Sequence, residues 1–185
     1  TGAVATDRLS AFSLYLNSTA PDRPEVMEEV GGKAAGHPVS WEAFLATVGG
    51  CSAPDVVTLI RQTEKSLGFD ITQVNDHRAL YGSFAANRKI SLQIPEGRIL
   101  FGEILQKLAS INQNSVVSLL RAFDAIDLME EEYHEPLIDL LVSFQNTLDP
   151  DRDAGILYTI RRLLMGAPSA LQAWESVHGP TSGST

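Results

Sequence analysis

A chain of 185 residues with 44% hydrophobic and 20% charged side chains buries a real core, which excludes wholesale disorder. Its net charge of −9 is unevenly spread: residues 1–92 hold ten acids and eight Lys/Arg, residues 93–185 thirteen and six. Between Asp124 and Asp139 there are seven carboxylates and no Lys or Arg, a balance that excludes a generic duplex-DNA binder and an anionic membrane surface as partner, since both need many cations facing phosphate.

In chain order, Leu9, Phe12 and Leu16 fall at helical spacing and predict a first helix over 6–18. Residues 18–38 carry three prolines and three glycines and read as a loop with at most one turn at Val26–Val30. Ser40 reads as the N-cap of a helix through Trp41 and Phe44 that ends at Gly49-Gly50. Ser52-Ala53-Pro54-Asp55 opens the next, with Val56, Leu59, Ile60, Thr63 and Leu67 on one face and Gly68 as the stop. A helix is expected around Asn75–Phe84. Lys89 to Ile94 alternates apolar and polar before Pro95 and predicts a strand, for which Phe69-Asp70-Ile71 is the plausible partner.

Four one-sided helical stripes follow: Ile99 to Leu108, Val116 to Ile126, Leu137 to Leu148 with Pro136 in its first turn, and Ile156 to Leu164 closed by Gly166 and Pro168. Helices with one apolar face must bury it against each other. The expected fold is therefore mainly all-α: a four-helix-bundle-like core with extra short helices and at most a minor two-stranded sheet near residues 69–94. Residues 1–185 are read as a single domain with terminal arms at 1–5 and 179–185. No period of roughly 20 to 50 residues stands out, which disfavours a solenoid.

Chemistry is sparse. Cys51 is alone, so neither an internal disulfide nor a cysteine-rich zinc site is available; a bystander thiol is preferred to a nucleophile. Glu131-Glu132-Tyr133-His134 supplies one Glu-x-x-His element, whereas a di-metal bundle wants two. A solvated acidic face is the preferred reading, with no metal and no cofactor. Gly31-Gly32-Lys33 lacks the spacing of a phosphate loop, and no nucleophile motif with supporting partners occurs. No enzyme is expected. No apolar run approaches the roughly 20 residues of a membrane span, and no basic-then-apolar leader is visible. The expected location is the cytoplasm or a virion, without secretion through a signal peptide.

Two segments carry a resemblance. Leu119-Leu120-Arg121-Ala122-Phe123-Asp124 resembles the Leu-Leu-x-Ala-Phe-Asp segment of tobamovirus coat proteins. Trp174-Glu175-Ser176, followed by a Gly/Pro/Ser/Thr tail, resembles the aromatic-Glu element and small-residue end of that family. Ser40-Trp41 with Leu45 is loosely similar to the opening helix of related rod-shaped virus coats. The chain departs from the pattern at Ala125-Ile126-Asp127, where the family has arginines, and at Leu171, which replaces an arginine expected before the aromatic-Glu pair. The resemblance implies a self-assembling structural coat or capsid-type subunit, a homo-oligomer or filament enclosing single-stranded RNA.

On that reading the RNA-binding candidates are Arg121, Arg152, Arg161 and Arg162, although pairing with carboxylates is the preferred role for each one separately. The inter-subunit carboxylate candidates are Asp124, Asp127, Glu130, Glu131 and Glu132, whose mutual repulsion would make association strengthen as pH falls. The absent initiator methionine before Thr1 fits its removal as well as a cut fragment. The polar tail has nothing apolar to bury, so order there is expected to come from neighbouring subunits. The alternatives are a non-enzymatic cellular helical adaptor binding another protein and, ranked below it, a ligand carrier or enzyme with a pocket in the bundle.

Overall fold

The computed structural model describes residues 2–180, with side chains from residue 7 onward. Among these the chain is all-helical, without a strand. It divides into two compact units, Thr1–Ser91 and Leu92–Thr185. Of the expected arms, Thr1 and residues 181–185 lie outside the described residues, residues 2–5 belong to the first helix, and Gly179, at φ 86°, ends the last one.

In the first unit α1 spans Gly2–Leu16, α2 Arg23–Ala34, α3 Pro38–Gly49, α4 Val56–Glu64, α5 Val74–Ala86 and α6 Arg88–Ser91. Helix α2 occupies the segment that reads as a loop. Pro24 sits in its first turn, where a missing amide costs nothing, and Glu25 and Lys33 stand at the ends that suit their charge. Met27, Gly31 and Ala34 are buried at helical spacing. Gly31 is apolar contact surface here: a methyl group at that position would come within 2.9 Å of the Phe44 ring. Pro24 and Gly31, which signal a break in the sequence, thus serve a helix start and a close approach.

Helix α3 begins at Pro38, after His37 in extended geometry, so Ser40 lies inside it rather than capping it. Its end at Gly49, with Gly50 following, is as expected. Helix α4 buries Val56, Leu59, Ile60 and Thr63 but stops at Glu64, leaving Leu67 fully exposed. Helix α5 covers the expected 75–84 and is the closest neighbour of α3. A methyl group at Gly49 would overlap the Leu80 carbonyl, so the two helix backbones meet almost without intervening side chain.

Arg23 ties three pieces together. Its guanidinium donates to the Leu16 carbonyl at 2.9 Å, to Ala20 O at 3.0 Å and to both Asp55 oxygens at 2.9 and 2.8 Å.

The expected sheet near 69–94 is absent, which corrects that part of the fold reading. Residues 88–91 are helical, and Ile90, Ser91 and Leu92 are all buried in succession, so the alternation in the sequence does not correspond to an inside and an outside face. The Ser91 hydroxyl reaches Asn87 O at 3.1 Å and Ala85 O at 3.3 Å, which lets a polar residue sit inside. Phe69-Asp70-Ile71 forms a turn held by Asp70, which accepts from the Thr72 amide at 2.9 Å, while Phe69 packs edge-on against Tyr81.

In the second unit α7 spans Pro95–Ala109, α8 Gln113–Leu120, α9 His134–Gln145, α10 Ala154–Met165 and α11 Pro168–His178, with three short 3-10 turns between α8 and α9. Asn112 caps α8, its side chain accepting from the Ser115 amide at 3.0 Å. Helix α7 packs on α8 and α9, α8 on α10, and α9 on both α10 and α11. Leu100, Ile104, Leu105, Val116, Leu137, Leu141, Ile156 and Ile160 form the core, with Phe101 and Phe123 edge-on at 5.2 Å. Pro168 opens α11 instead of merely closing α10, the reading its position after Gly166 had implied.

A candidate docking groove on the first unit

The stacked rings of Phe12, Phe44 and Trp41 run through the first unit, with centroids 5.7 and 5.3 Å apart. Trp41 and Phe44 come from α3 at i and i+3, so both face α2. Between α2, α3 and the turn that follows α4 lies a half-open groove of about 480 Å³. Met27, Gly31, Gly32, Trp41, Phe44 and Gly68 provide most of its apolar wall. Small residues keep it open: Gly32 has no atom within 4 Å of where a Cβ would stand, and Gly68 lies 3.0 Å from the edge of the Trp41 ring by the same construction.

Two features of the groove are energetically conspicuous. Leu67, on its rim, has its whole side chain in solvent. Trp41 is 7% exposed, and its indole Nε1 is buried without a hydrogen-bond acceptor. A buried donor left unsatisfied costs about 1–3 kcal/mol, so this site holds both an exposed apolar group and an unsatisfied polar one. Its charges nearly cancel, with Glu28 and Lys65 both on the lining. Thr63 is spent internally, donating to Leu59 O at 3.0 Å.

The arginines singled out by sequence lie in the second unit, and two of the four are engaged. Arg152 grips the fully buried Asp153 through Nε at 2.9 Å and Nη2 at 2.7 Å, and this contact holds the Asp153 carboxyl below the usual carboxylate range. Arg162 lies 3.3 Å from Asp124. Arg121 and Arg161 are exposed. Arg161 and Arg162 share the outer face of α10 with Tyr158 and Met165, which are 70% and 80% exposed.

The carboxylates divide in the same way. Asp127 accepts from the amides of Ser169 and Ala170 at 3.1 and 2.9 Å, anchoring the start of α11. Burial pushes its pKa up, but those amides, the Ser169 hydroxyl and His134 outweigh it and leave the carboxyl below its ordinary value. Glu130, Glu131 and Glu132 are exposed; the hydrogen bond to Glu132 is the main cause that pushes the Tyr133 phenol up. His134 is buried, with Nε2 3.0 Å from the Met129 carbonyl. Among the described residues no three His, Cys, Asp or Glu side chains gather as a metal site. Cys51 is buried, and desolvation raises its thiol pKa.

Sequence reading assigned Trp41 to packing and missed the groove, whose walls come from three segments. The signal available was the spacing of Met27, Gly31 and Ala34, which marks α2 as a helix with a small-residue face. No helix among the described residues is long and apolar enough to cross a membrane.

No curated protein matches the chain. A family model does, over residues 1–151, and on that extent the chain belongs to the family described as a domain of unknown function (DUF3458_C) with ARM repeats.

Proposed function

We propose that this protein is a non-enzymatic helical adaptor that binds a segment of another polypeptide in the groove beside Trp41. The observation that carries the reading is Leu67: a fully exposed leucine on the rim of an apolar groove floored by stacked aromatics. Exposed apolar surface joined to a concave site marks a place that loses water on binding. Membership of a family with ARM repeats supports it, because stacked helical repeats use concave surfaces to hold partners.

The test uses random dodecapeptides displayed on phage, panned on the full chain, with the selected peptides measured by calorimetry. Leu67→Ser removes the rim leucine, and Gly32→Leu plugs the groove at a position with free space around it. Burying a leucine is worth about 1.5–3 kcal/mol, so Leu67→Ser weakens binding roughly tenfold or more. Peptides that bind both variants as well as the parent would refute the reading.

The coat-subunit reading is the second, and the outer face of α10 favours it. Tyr158 and Met165 stand exposed beside Arg161 and Arg162, a surface suited to a second copy or to single-stranded RNA. In that reading α7 to α10 act as a four-helix-bundle core and the protein resides in the cytoplasm or a virion. Electron microscopy showing filaments or shells of purified protein, with RNA protected from nuclease, would carry it; small particles free of RNA would end it.

A further inference from the structure

The groove also specifies the chemistry of what enters it. We propose that its occupant is an uncharged, apolar peptide segment that places a leucine- or phenylalanine-sized side chain against Phe44 and Met27 and a backbone carbonyl on the indole N–H of Trp41. This rests on the adaptor reading and narrows it to a ligand class and a contact.

Three observations lead there. Trp41 lines the groove, and its Nε1 donor is buried and unsatisfied; a group that pays for burial in the free protein gains most when a ligand supplies its acceptor. A peptide carbonyl is the acceptor that every polypeptide carries next to its side chains. The lining holds one acid, Glu28, and one base, Lys65, so neither a phosphate nor a strongly charged peptide finds complementary charge there. The volume of about 480 Å³ suits one large side chain with its flanking backbone. Because the N–H is sealed from solvent, occupancy requires the ring or the Lys65–Gly68 turn to shift. Such a shift of the turn would have to break the bonds of the Lys65 and Ser66 amides to Gln62 O and Thr63 O, at 3.1 and 3.0 Å, while Leu67 itself packs against nothing.

The two tryptophans make the test clean. Trp41 has no acceptor, whereas the Trp174 indole donates to Asp139 at 3.3 Å in the other unit. Proton–nitrogen NMR of the full chain therefore gives two indole signals, one per unit. On adding a phage-selected peptide whose binding depends on Leu67, the Trp41 indole proton moves downfield and that of Trp174 stays. Trp41→Phe, which keeps a ring but loses the donor, weakens the same peptide about tenfold. Peptide binding that depends on Leu67 but leaves the Trp41 indole signal and the Trp41→Phe affinity unchanged overturns this contact while sparing the adaptor reading. Failure to select any Leu67-dependent peptide overturns both. Selected peptides rich in Asp, Glu, Lys or Arg at the anchor position overturn the ligand class.

Discussion

Replacing Gly49 with alanine adds one methyl group where α3 crosses α5. The new carbon would overlap the Leu80 carbonyl oxygen and stand 3.0 Å from its carbon and 3.2 Å from the Phe84 amide nitrogen. All three atoms are backbone, so no side chain can swing aside. Gly179 alone among the described residues has positive φ, so alanine fits the Gly49 backbone and the collision is the whole effect. Relief requires the helices to part by about an ångström, a gap that forfeits a quarter to a half of the dispersion attraction between atoms facing across it. Leu45, Val48, Leu80, Tyr81 and Phe84 on these two helices are each at most 1% exposed, so many contacts loosen together. Overpacking commonly costs about 1–3 kcal/mol; against immovable backbone the expectation is about 3 kcal/mol or more, in the tail reserved for named structural faults. Urea unfolding followed by circular dichroism measures it. Gly32→Ala is the control: with open space around it in a helix interior, it stabilises by about 0.5–1 kcal/mol. A Gly49→Ala chain within about 1 kcal/mol of the parent would show that α3 and α5 do not meet as described.

Other expectations concern single polar anchors. Asp127→Ala removes both acceptors at the start of α11 and costs about 1 kcal/mol at neutral pH. Because the folded-state pKa of Asp127 is depressed, its contribution is complete above the ordinary carboxylate range and lost as pH falls through the folded value. Asp127→Asn keeps a capping oxygen but does not titrate, so its stability should fall less steeply in acid than the parent's; identical acid limbs in thermal melts would contradict this. Arg23→Lys keeps the charge but cannot reach Leu16 O, Ala20 O and both Asp55 oxygens at once. It should expose the 17–22 link to protease while leaving the second unit's cleavage pattern unchanged, and uniform sensitivity along the chain would argue against that role.

The helices with the plainest apolar stripes were legible, and the reason is burial on one side only. Val56, Leu59, Ile60 and Thr63, or Ile156, Leu157, Ile160 and Leu163, sit inside as the 3.6-residue period demands. Helix α2 was not legible, because Pro24, Gly31, Gly32 and Gly36 mimic loop chemistry, whereas Pro24 in fact serves a first turn and Gly31 a ring contact. The strand expected at 89–94 failed because alternation was read as two faces where Ile90, Ser91 and Leu92 are all inside. The helix through Val116 to Ile126 breaks after Leu120 into 3-10 turns, although Phe123 and Ile126 remain buried as expected. ARM repeats in the family description stand against the disfavoured solenoid. Helices here range from 4 to 15 residues, and such uneven units leave no fixed period in the sequence. The groove was hidden for a related reason: its walls are distant in sequence, and an orphaned indole N–H leaves no trace in a string of residues.

The link between α9 and α10 looks from its composition like a hydrophilic connector, yet Asp153 within it is sealed from solvent. Its carboxylate receives the Asp149 amide at 3.0 Å and the Gln113 side chain at 3.1 Å, while Asp149 in turn accepts from the amides of Asp151 and Arg152 at 2.9 Å. Such a segment is a fitted joint. Engineers wanting to insert a tag or open new termini in this half of the molecule should avoid 149–153, where each added residue would cut contacts that tie the connector to the opening turn of α8.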